Sequence, residues 1–273
     1  MERKAYLRRM RRRETAMPEG VSGALTVLRA MVARWSADKF LLFVGYPRSG
    51  HSLVGQLLDA HPKAVVAHEV HVGRLLVEEG WRGNRIVSGI LVQGRDFEAM
   101  DFEWAGHSYK IEGGWQNRSV FPMVLGDKKG GQTSQLLRYE PGLIGRLADT
   151  IKMPIAVIHV LRNPLDNIAT MALKSHGNVE KSTRQWLELN EAVETARRRE
   201  DWSTWIDVQL DDLVVDSRAE LDRVRKSLSL PSNNTWLEVA SSFVSDSPSR
   251  TRTKVDWPEG ALDQLRCAGF QTR

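Results

Sequence analysis

The chain has 273 residues, of which 41% are hydrophobic and 27% charged, a composition typical of a globular protein with a substantial core. Its longest apolar runs, such as residues 40–44 and 155–158, are too short to span a bilayer, and no charged start leads into an apolar signal core. The single cysteine, Cys267, excludes an internal disulfide, and paired Cys/His metal motifs are absent from the sequence. We therefore expect a cytoplasmic protein with no metal site.

The net charge of +5 originates at the amino terminus. Residues 1–13 carry seven Arg and Lys against one Glu, which leaves 32 basic and 33 acidic residues in the rest of the chain. We predict a solvated basic arm over residues 1–20 and a single α/β domain over residues 21–273. Because the body is close to neutral, the charge does not favour nucleic acid as a partner. Peripheral contact between the arm and an anionic membrane, or an acidic partner, is the functional alternative.

Hydrophobic periodicity after the arm predicts alternating helices and strands. Continuous apolar runs that end in glycine or at a charged residue are typical of strands buried on both faces. This alternation predicts a parallel sheet covered by helices on both sides. Residues 81–118 fit this alternation worst, because they have no sustained period, and no element is assigned there. In chain order, the pattern predicts a helix over 22–35, a strand over 39–45, a helix over 51–60, a strand over 64–68, a strand over 123–126, a helix over 132–151, a strand over 154–161, helices over 164–173 and 180–199, a strand over 205–210 and a helix over 217–227.

A glycine-rich loop over residues 45–52 connects the first predicted strand to the following helix. Its spacing, Gly-x4-Gly-x-Ser, is that of a phosphate-binding loop, in which backbone N–H groups and the helix amino terminus attract a phosphate. His51 stands where nucleotide hydrolases carry lysine, and Arg48 supplies a cation three residues earlier. This arrangement indicates an anionic ligand other than the γ-phosphate of ATP.

The loop and the downstream Ala-His-Pro at 60–62 resemble the 5′-phosphosulfate loop of PAPS-dependent sulfotransferases, most of all the tyrosylprotein and bacterial branches. The resemblance implies a P-loop-type three-layer α/β/α sandwich with a central, mostly parallel sheet. It also implies transfer of a sulfuryl group from the co-substrate PAPS to a hydroxyl, releasing 3′-phosphoadenosine 5′-phosphate. A nucleotide kinase or hydrolase with a degenerate loop is the alternative. The donor-binding residues implied in this loop are Arg48, Ser49, Gly50, His51 and Ser52.

A second set of residues resembles the family's 3′-phosphate site. Arg162 follows a predicted buried strand, and Thr170 supplies a hydroxyl eight residues later. Lys174 falls four residues after Thr170, on the same face of the predicted helix. A late basic stretch loosely resembles the segment that closes over the nucleotide and adds Arg250 and Arg252, with a plain surface loop as the alternative.

The resemblance also implies catalytic residues. Glu69, shortly after the second strand, corresponds to the base of the tyrosylprotein branch, and His68 competes for that role. Strand alternation predicts that these two side chains point to opposite faces. Lys128 corresponds to the lysine that the family places near the sulfuryl group, with Lys129 as the alternative. Arg48 is a second candidate for stabilising the transition state.

The acceptor pocket is the least readable part of the sequence. We expect residues 70–118 to contribute to it, although histidine and tryptophan more often serve core packing. The resemblance does not choose among a carbohydrate, a small metabolite, a lipid alcohol and a peptide as the acceptor. The side chains available in this segment include His71, Trp81, Trp104, His107 and Trp115.

Overall fold

The computed structural model describes residues 23–174, 178–245 and 250–272. The predicted basic arm therefore lies outside the described residues. Within these ranges, no helix combines the length and the apolar character needed to cross a membrane. The strands are β1 (Lys39–Gly45), β2 (Ala64–Ala67), β3 (Glu103–Trp104), β4 (His107–Ser108), β5 (Val124–Asp127), β6 (Ile155–Leu161) and β7 (Thr204–Gln209). The helices are α1 (Ala24–Ser36), α2 (His51–Asp59), α3 (Val72–Glu78), α4 (Gly83–Ala99), α5 (Gly130–Leu137), α6 (Leu143–Ile151), α7 (Pro164–Lys174), α8 (Val179–Arg199), α9 (Leu210–Val215), α10 (Ser217–Ser227), α11 (Asn234–Ser242) and α12 (Glu259–Cys267), with a 3₁₀ turn at Arg252–Lys254.

The central sheet has the order β2-β5-β1-β6-β7, and every adjacent pair is parallel. Side chains of β1 alternate between two apolar cores, as the run of residues 39–45 predicts. Phe40 and Leu42 pack into the core beneath α1 and α4, whereas Leu41 and Phe43 pack into the core beneath α2 and α11. The predicted three-layer α/β/α sandwich with a parallel sheet is therefore confirmed.

The single helix predicted over residues 132–151 is two helices, α5 and α6. Pro141 lies in the turn between them, where it lacks an N–H and disfavours helical backbone at the preceding residue. The amino terminus of α5 lies next to the loop after β1, since a Cβ on Gly131 would lie 3.0 Å from Pro47.

Helix α4 occupies part of the segment for which no element was predicted. Its residues 86–92 are buried in an unbroken run, so no helical period is visible in the sequence. Its glycines serve close packing: a Cβ on Gly89 would lie 3.0 Å from Trp81, and one on Gly94 would lie 2.3 Å from the Asn117 side chain. Tertiary contacts here outweigh the low helix propensity of glycine.

Helix α1 confirms the helix predicted over residues 22–35 but has an unusual orientation. It buries Thr26, Ala30 and Ala33 against the protein. Its larger apolar side chains, including Leu28 and Trp35, point to solvent.

Candidate active site

An open cleft of about 1190 Å³ lies at the carboxyl edge of the sheet. The carboxyl ends of parallel strands meet at one edge, so the segments after β1, β2, β5 and β6 converge there. The cleft is lined by the loop after β1, by Glu69 after β2, by the β3–β4 hairpin, and by parts of α5, α7 and α8. We call the loop of residues 45–52 the β1 loop.

Backbone conformation and side-chain bonds fix the shape of the β1 loop. Gly50 has a φ of 104°, in the region that favours glycine, and a Cβ there would lie 2.9 Å from Leu210. Arg48 is also left-handed, at a φ of 68°, and the Asn167 amide donates to the Pro47 carbonyl at 2.7 Å. Arg48 is exposed toward the cleft. A positive φ at a non-glycine residue indicates a conformation imposed by its surroundings.

The side chains of Ser49 and His51 lie under the loop. Burial, and next the nearby Lys128, lower the pKa of His51 to about 3, so its ring is neutral at pH 7. The ring packs against Gly130, where a Cβ would lie 2.2 Å from His51 Cδ2. The Ser49 hydroxyl and His51 Nε2 are buried without a hydrogen-bond partner. The loop therefore carries its positive charge on Arg48 and not at the position of the usual lysine.

Lys128, at the first residue after β5, forms a buried hydrogen-bonded cluster beside the loop. Its side chain is 1% exposed, and its ammonium donates to Ser52 Oγ and Glu69 Oε1, both at 2.8 Å. Lys129 donates to the other oxygen of Glu69 at 2.9 Å. The Lys128 stem packs on α2, because a Cβ on Gly55 would lie 2.6 Å from Lys128 Cγ. The structure thus brings three predicted site residues, Ser52, Glu69 and Lys128, into direct contact.

Asp127 shapes the segment that carries Glu69. Its buried carboxylate accepts from the N–H groups of Val70 and Val72, each at 2.9 Å, and burial raises the pKa of Asp127 to about 6. Glu69 itself has a left-handed φ of 70°. Burial alone would raise the pKa of Glu69, but the ammonium groups of Lys128 and Lys129 outweigh it and hold that pKa well below its usual range. Glu69 is therefore ionised at neutral pH.

His68 does not point away from this cluster. Its Nε2 lies 3.4 Å from Lys128 Nζ, and its ring stacks on Phe97 with the ring centres 4.2 Å apart. Strand alternation does not apply, because β2 ends at Ala67 and Glu69 has left the extended conformation. Burial, and next Lys128, lower the pKa of His68 to about 3. Glu69 lines the cleft, whereas His68 is 2% exposed behind it.

At the other end of the cleft, Arg162 connects the β1 loop with the helix that follows β6. Its guanidinium donates to the Arg48 carbonyl at 3.2 Å and to Thr170 Oγ1 at 3.0 Å. The Thr251 hydroxyl lies 3.4 Å from Arg162 Nη2 and 2.8 Å from the Thr170 hydroxyl. Thr170 and Lys174 both line the cleft, so the predicted pair shares one helix face. An arginine and two hydroxyl groups therefore converge beside the β1 loop.

Asp166 holds the late basic stretch in place. Its carboxylate accepts from the backbone N–H groups of Thr251 and Arg252 at 2.7 and 2.8 Å. The Arg252 guanidinium lies 2.7 Å from the same carboxylate. Arg252 is thus engaged inside the protein, whereas Arg250 is exposed. The sequence prediction missed Thr251, which lies between the two arginines that it named.

The β3–β4 hairpin supplies one wall of the cleft. Trp104 and His107 line it, together with Tyr109, which the sequence prediction missed. Burial raises the pKa of Tyr109, and the nearby Ser52 side chain partly opposes this rise. Of the other candidate acceptor residues, Trp81 and His71 are buried in the body, and Trp115 is 52% exposed outside the cleft lining. Among residues 23–174, 178–245 and 250–272, no group of three His, Cys, Asp or Glu side chains is placed to hold a metal ion.

The architecture is similar to that of solved protein structures. No protein-family model matches the sequence, and no curated protein matches it either. Among solved structures, the sulfotransferase domain of the Synechococcus PCC 7002 olefin synthase superposes with a TM-score of 0.57 at 14% identity, covering 87% of this chain and 96% of that one. The chain has a sulfotransferase fold. A second similar structure is the sulfotransferase STF9 of Mycobacterium avium, at a TM-score of 0.49 and 12% identity, covering 92% of this chain and 81% of that one.

Proposed function

We propose that this protein transfers a sulfuryl group from PAPS to a hydroxyl group, releasing 3′-phosphoadenosine 5′-phosphate. One observation carries the proposal: Arg162 contacts both the β1 loop and Thr170, so a cation and a hydroxyl lie beside the loop as a donor with two separate phosphates requires. PAPS carries phosphate on both its 3′ and 5′ oxygens, whereas ATP carries no 3′-phosphate. The sulfotransferase fold agrees with this assignment.

The β1 loop fits a 5′-phosphosulfate group. The backbone N–H groups at the start of α2 supply hydrogen-bond donors for an anion. Arg48 adds a cation at the mouth of the loop. We assign the 3′-phosphate to the guanidinium of Arg162 and the hydroxyls of Thr170 and Thr251. Lys174 and Arg250 add exposed cations at this end.

Glu69 is the proposed general base. It is the ionised carboxylate that lines the cleft next to the β1 loop, and it accepts a proton from the acceptor hydroxyl. When bound, PAPS supplies a sulfur atom whose bond to the bridging oxygen breaks as the acceptor oxygen bonds to sulfur. While both lysines pair with Glu69 it is a weak base, and an anion that attracts either lysine raises its basicity.

Lys128 and Ser52 are the proposed stabilisers of the developing negative charge. Their donor groups lie 2.8 Å apart in a partly buried position, where electrostatic interactions are stronger than in water. Tyr109 lines the cleft together with Ser52, and the Ser52 side chain influences its pKa. Its position between the hairpin and the β1 loop makes it a positioning residue for Ser52.

Calorimetry with two ligands tests the proposal. We expect 3′-phosphoadenosine 5′-phosphate to bind at one site, and ATP with Mg²⁺ to bind much more weakly. Tight binding of ATP with Mg²⁺ and no response to the 3′-phosphorylated nucleotide would favour the kinase or hydrolase alternative. An acceptor screen with sulfur-labelled PAPS follows, with carbohydrates, small alcohols, lipid alcohols and tyrosine peptides as the candidate acceptors.

A further inference from the structure

Helix α1 presents an apolar stripe to solvent. With 3.6 residues per turn, its four members fall within an arc of about 120° on one side of the helix. The opposite side carries Thr26, Ala30 and Ala33 and packs against the protein. The apolar stripe consists of Leu25, Leu28, Met31 and Trp35, which are 72%, 57%, 51% and 86% exposed.

This orientation is the reverse of an ordinary surface helix, which buries its large apolar residues and exposes its polar ones. A single exposed leucine is common, but four large apolar side chains on one helix face mark an interaction surface. More apolar surface lies near the carboxyl end of α1. The Ser36 hydroxyl donates to the Pro122 carbonyl at 3.0 Å, and the two residues before Pro122, Val120 and Phe121, are 59% and 53% exposed.

The positive charge of the residues that precede α1 indicates the kind of partner that this surface binds. Seven Arg and Lys side chains lie within residues 1–13, about ten residues before the apolar stripe in the chain. An anionic lipid surface binds both features at once: apolar side chains enter the boundary between headgroups and acyl chains, and nearby cations pair with anionic headgroups. The net charge of the remaining chain is close to zero, so the attraction is local to this end.

Other possible partners fit only one of the two features, the apolar stripe or the basic residues. A nucleic acid would pair with the cations and leave the apolar stripe in water. The arm folded back on α1 would place seven like charges against an apolar face. A second copy of the chain would bring two strongly basic arms together.

We propose that the apolar stripe of α1 and the preceding basic residues dock this protein on an anionic membrane surface. The docking is independent of the proposed sulfuryl transfer, because no residue of the apolar stripe lines the cleft. It is peripheral, with α1 lying in the plane of the interface.

Vesicle sedimentation with the full chain tests the proposal. We expect binding to phosphatidylcholine vesicles that contain phosphatidylserine, weaker binding to pure phosphatidylcholine, and loss of binding as salt is raised. Trp35→Ser should lower the partition coefficient about tenfold or more, whereas Trp35→Phe should retain most of it. Val215→Ser is the matched control: Val215 is 84% exposed on α9, and its replacement should leave binding unchanged.

Several outcomes overturn the proposal. One is an absence of binding to the anionic vesicles. Another is equal binding by the Trp35→Ser variant and the parent chain, since charge alone would then explain the affinity. A third is a Trp35-dependent dimer in sedimentation equilibrium without vesicles, which would make the apolar stripe a contact between copies. Circular dichroism of each variant verifies that the fold is retained.

Discussion

At one end of the cleft the ammonium of Lys128 is buried and paired with the carboxylate of Glu69, whereas at the other end Arg162 donates to a backbone carbonyl and to threonine hydroxyls. The first end, the Glu69 end, contains the groups that can take a proton and stabilise a developing charge. The second end, the Arg162 end, contains hydroxyl groups that converge on a cation, an arrangement suited to positioning an anion. The comparison predicts that changes at the Glu69 end alter turnover and that changes at the Arg162 end alter donor affinity.

The largest effect is expected for Glu69→Gln. Loss of the proposed base should lower kcat by a factor on the order of 10²–10⁴, because an amide cannot take the acceptor proton. Affinity for 3′-phosphoadenosine 5′-phosphate should change little, as measured by calorimetry. Glu188→Gln is the matched control, since Glu188 also lines the cleft but pairs with Arg138. Unchanged turnover in Glu69→Gln would move the base to His68.

Lys128→Met should give the next largest loss of turnover. Methionine keeps the apolar stem that packs on Gly55 but removes the donor to Ser52, so kcat should fall on the order of 10²–10³-fold. Lys129→Met, which removes a more exposed lysine from the same carboxylate, should lower kcat less. A larger loss in Lys129→Met than in Lys128→Met would reverse the assignment of the sulfuryl-facing lysine.

Several buried histidines and aspartates of the domain are kept neutral near pH 5, and these make stability depend on pH. Buried histidines bind no proton in the folded state but bind one near pH 6.5 when unfolded, so they destabilise the fold as pH falls toward their folded pKa. Buried aspartates act in the opposite direction, because they keep a proton that the unfolded chain has released. Burial lowers the pKa of His51, His68 and His71 to about 3 and the pKa of His61 to about 4. Burial raises the pKa of Asp59 to about 7 and the pKa of Asp127 to about 6.

At pH 5, four imidazoles gain a proton on unfolding and two carboxyls lose one, which gives a net uptake of about two protons. The free energy of unfolding should therefore fall by roughly 3 kcal/mol for each pH unit below 6. Thermal unfolding between pH 4 and 7 measures this slope, and calorimetry in buffers of different ionisation enthalpy measures the uptake. A flat or inverted slope would show that these side chains are not neutral in the folded protein.

The smallest effect is expected for Thr170→Val at the Arg162 end. Removal of one hydroxyl should weaken binding of 3′-phosphoadenosine 5′-phosphate about fivefold and leave kcat unchanged at saturating donor. Thr150→Val is the control, because Thr150 is half-buried on α6, outside the cleft lining, where its hydroxyl bonds within the helix. A fall in kcat without a change in affinity would contradict the division of roles between the two ends.

Much of this site was predictable from local sequence. The strand Lys39–Gly45 has the bounds that its apolar run indicates, because both of its faces are buried. Arg162 and Thr170, which are eight residues apart in the sequence, are in contact in the structure. The end of the strand and the two helical turns between them bring both side chains to the same end of the cleft. Both features depend on residues that are close together in the sequence, so the sequence pattern predicts them.

Other features depend on contacts between distant segments. Tyr109 lines the cleft beside Ser52 because it directly follows the β3–β4 hairpin, in a stretch without a hydrophobic period. Thr251 joins Arg162 because Asp166 binds the backbone around it. The exposed side of α1 could not be read either, because a helical period shows which residues share a face and not which face is buried.

Nucleotide binding by Arg162→Ala, measured by calorimetry, tests the central claim most directly. The ligands are 3′-phosphoadenosine 5′-phosphate and adenosine 5′-phosphate, which differ in the 3′-phosphate. We predict that the substitution weakens binding of the first ligand about 10- to 100-fold and of the second much less, because a charged hydrogen bond to the 3′-phosphate is lost. Arg146→Ala, an exposed arginine on α6, should change neither affinity. Equal losses for both ligands in Arg162→Ala would contradict the account.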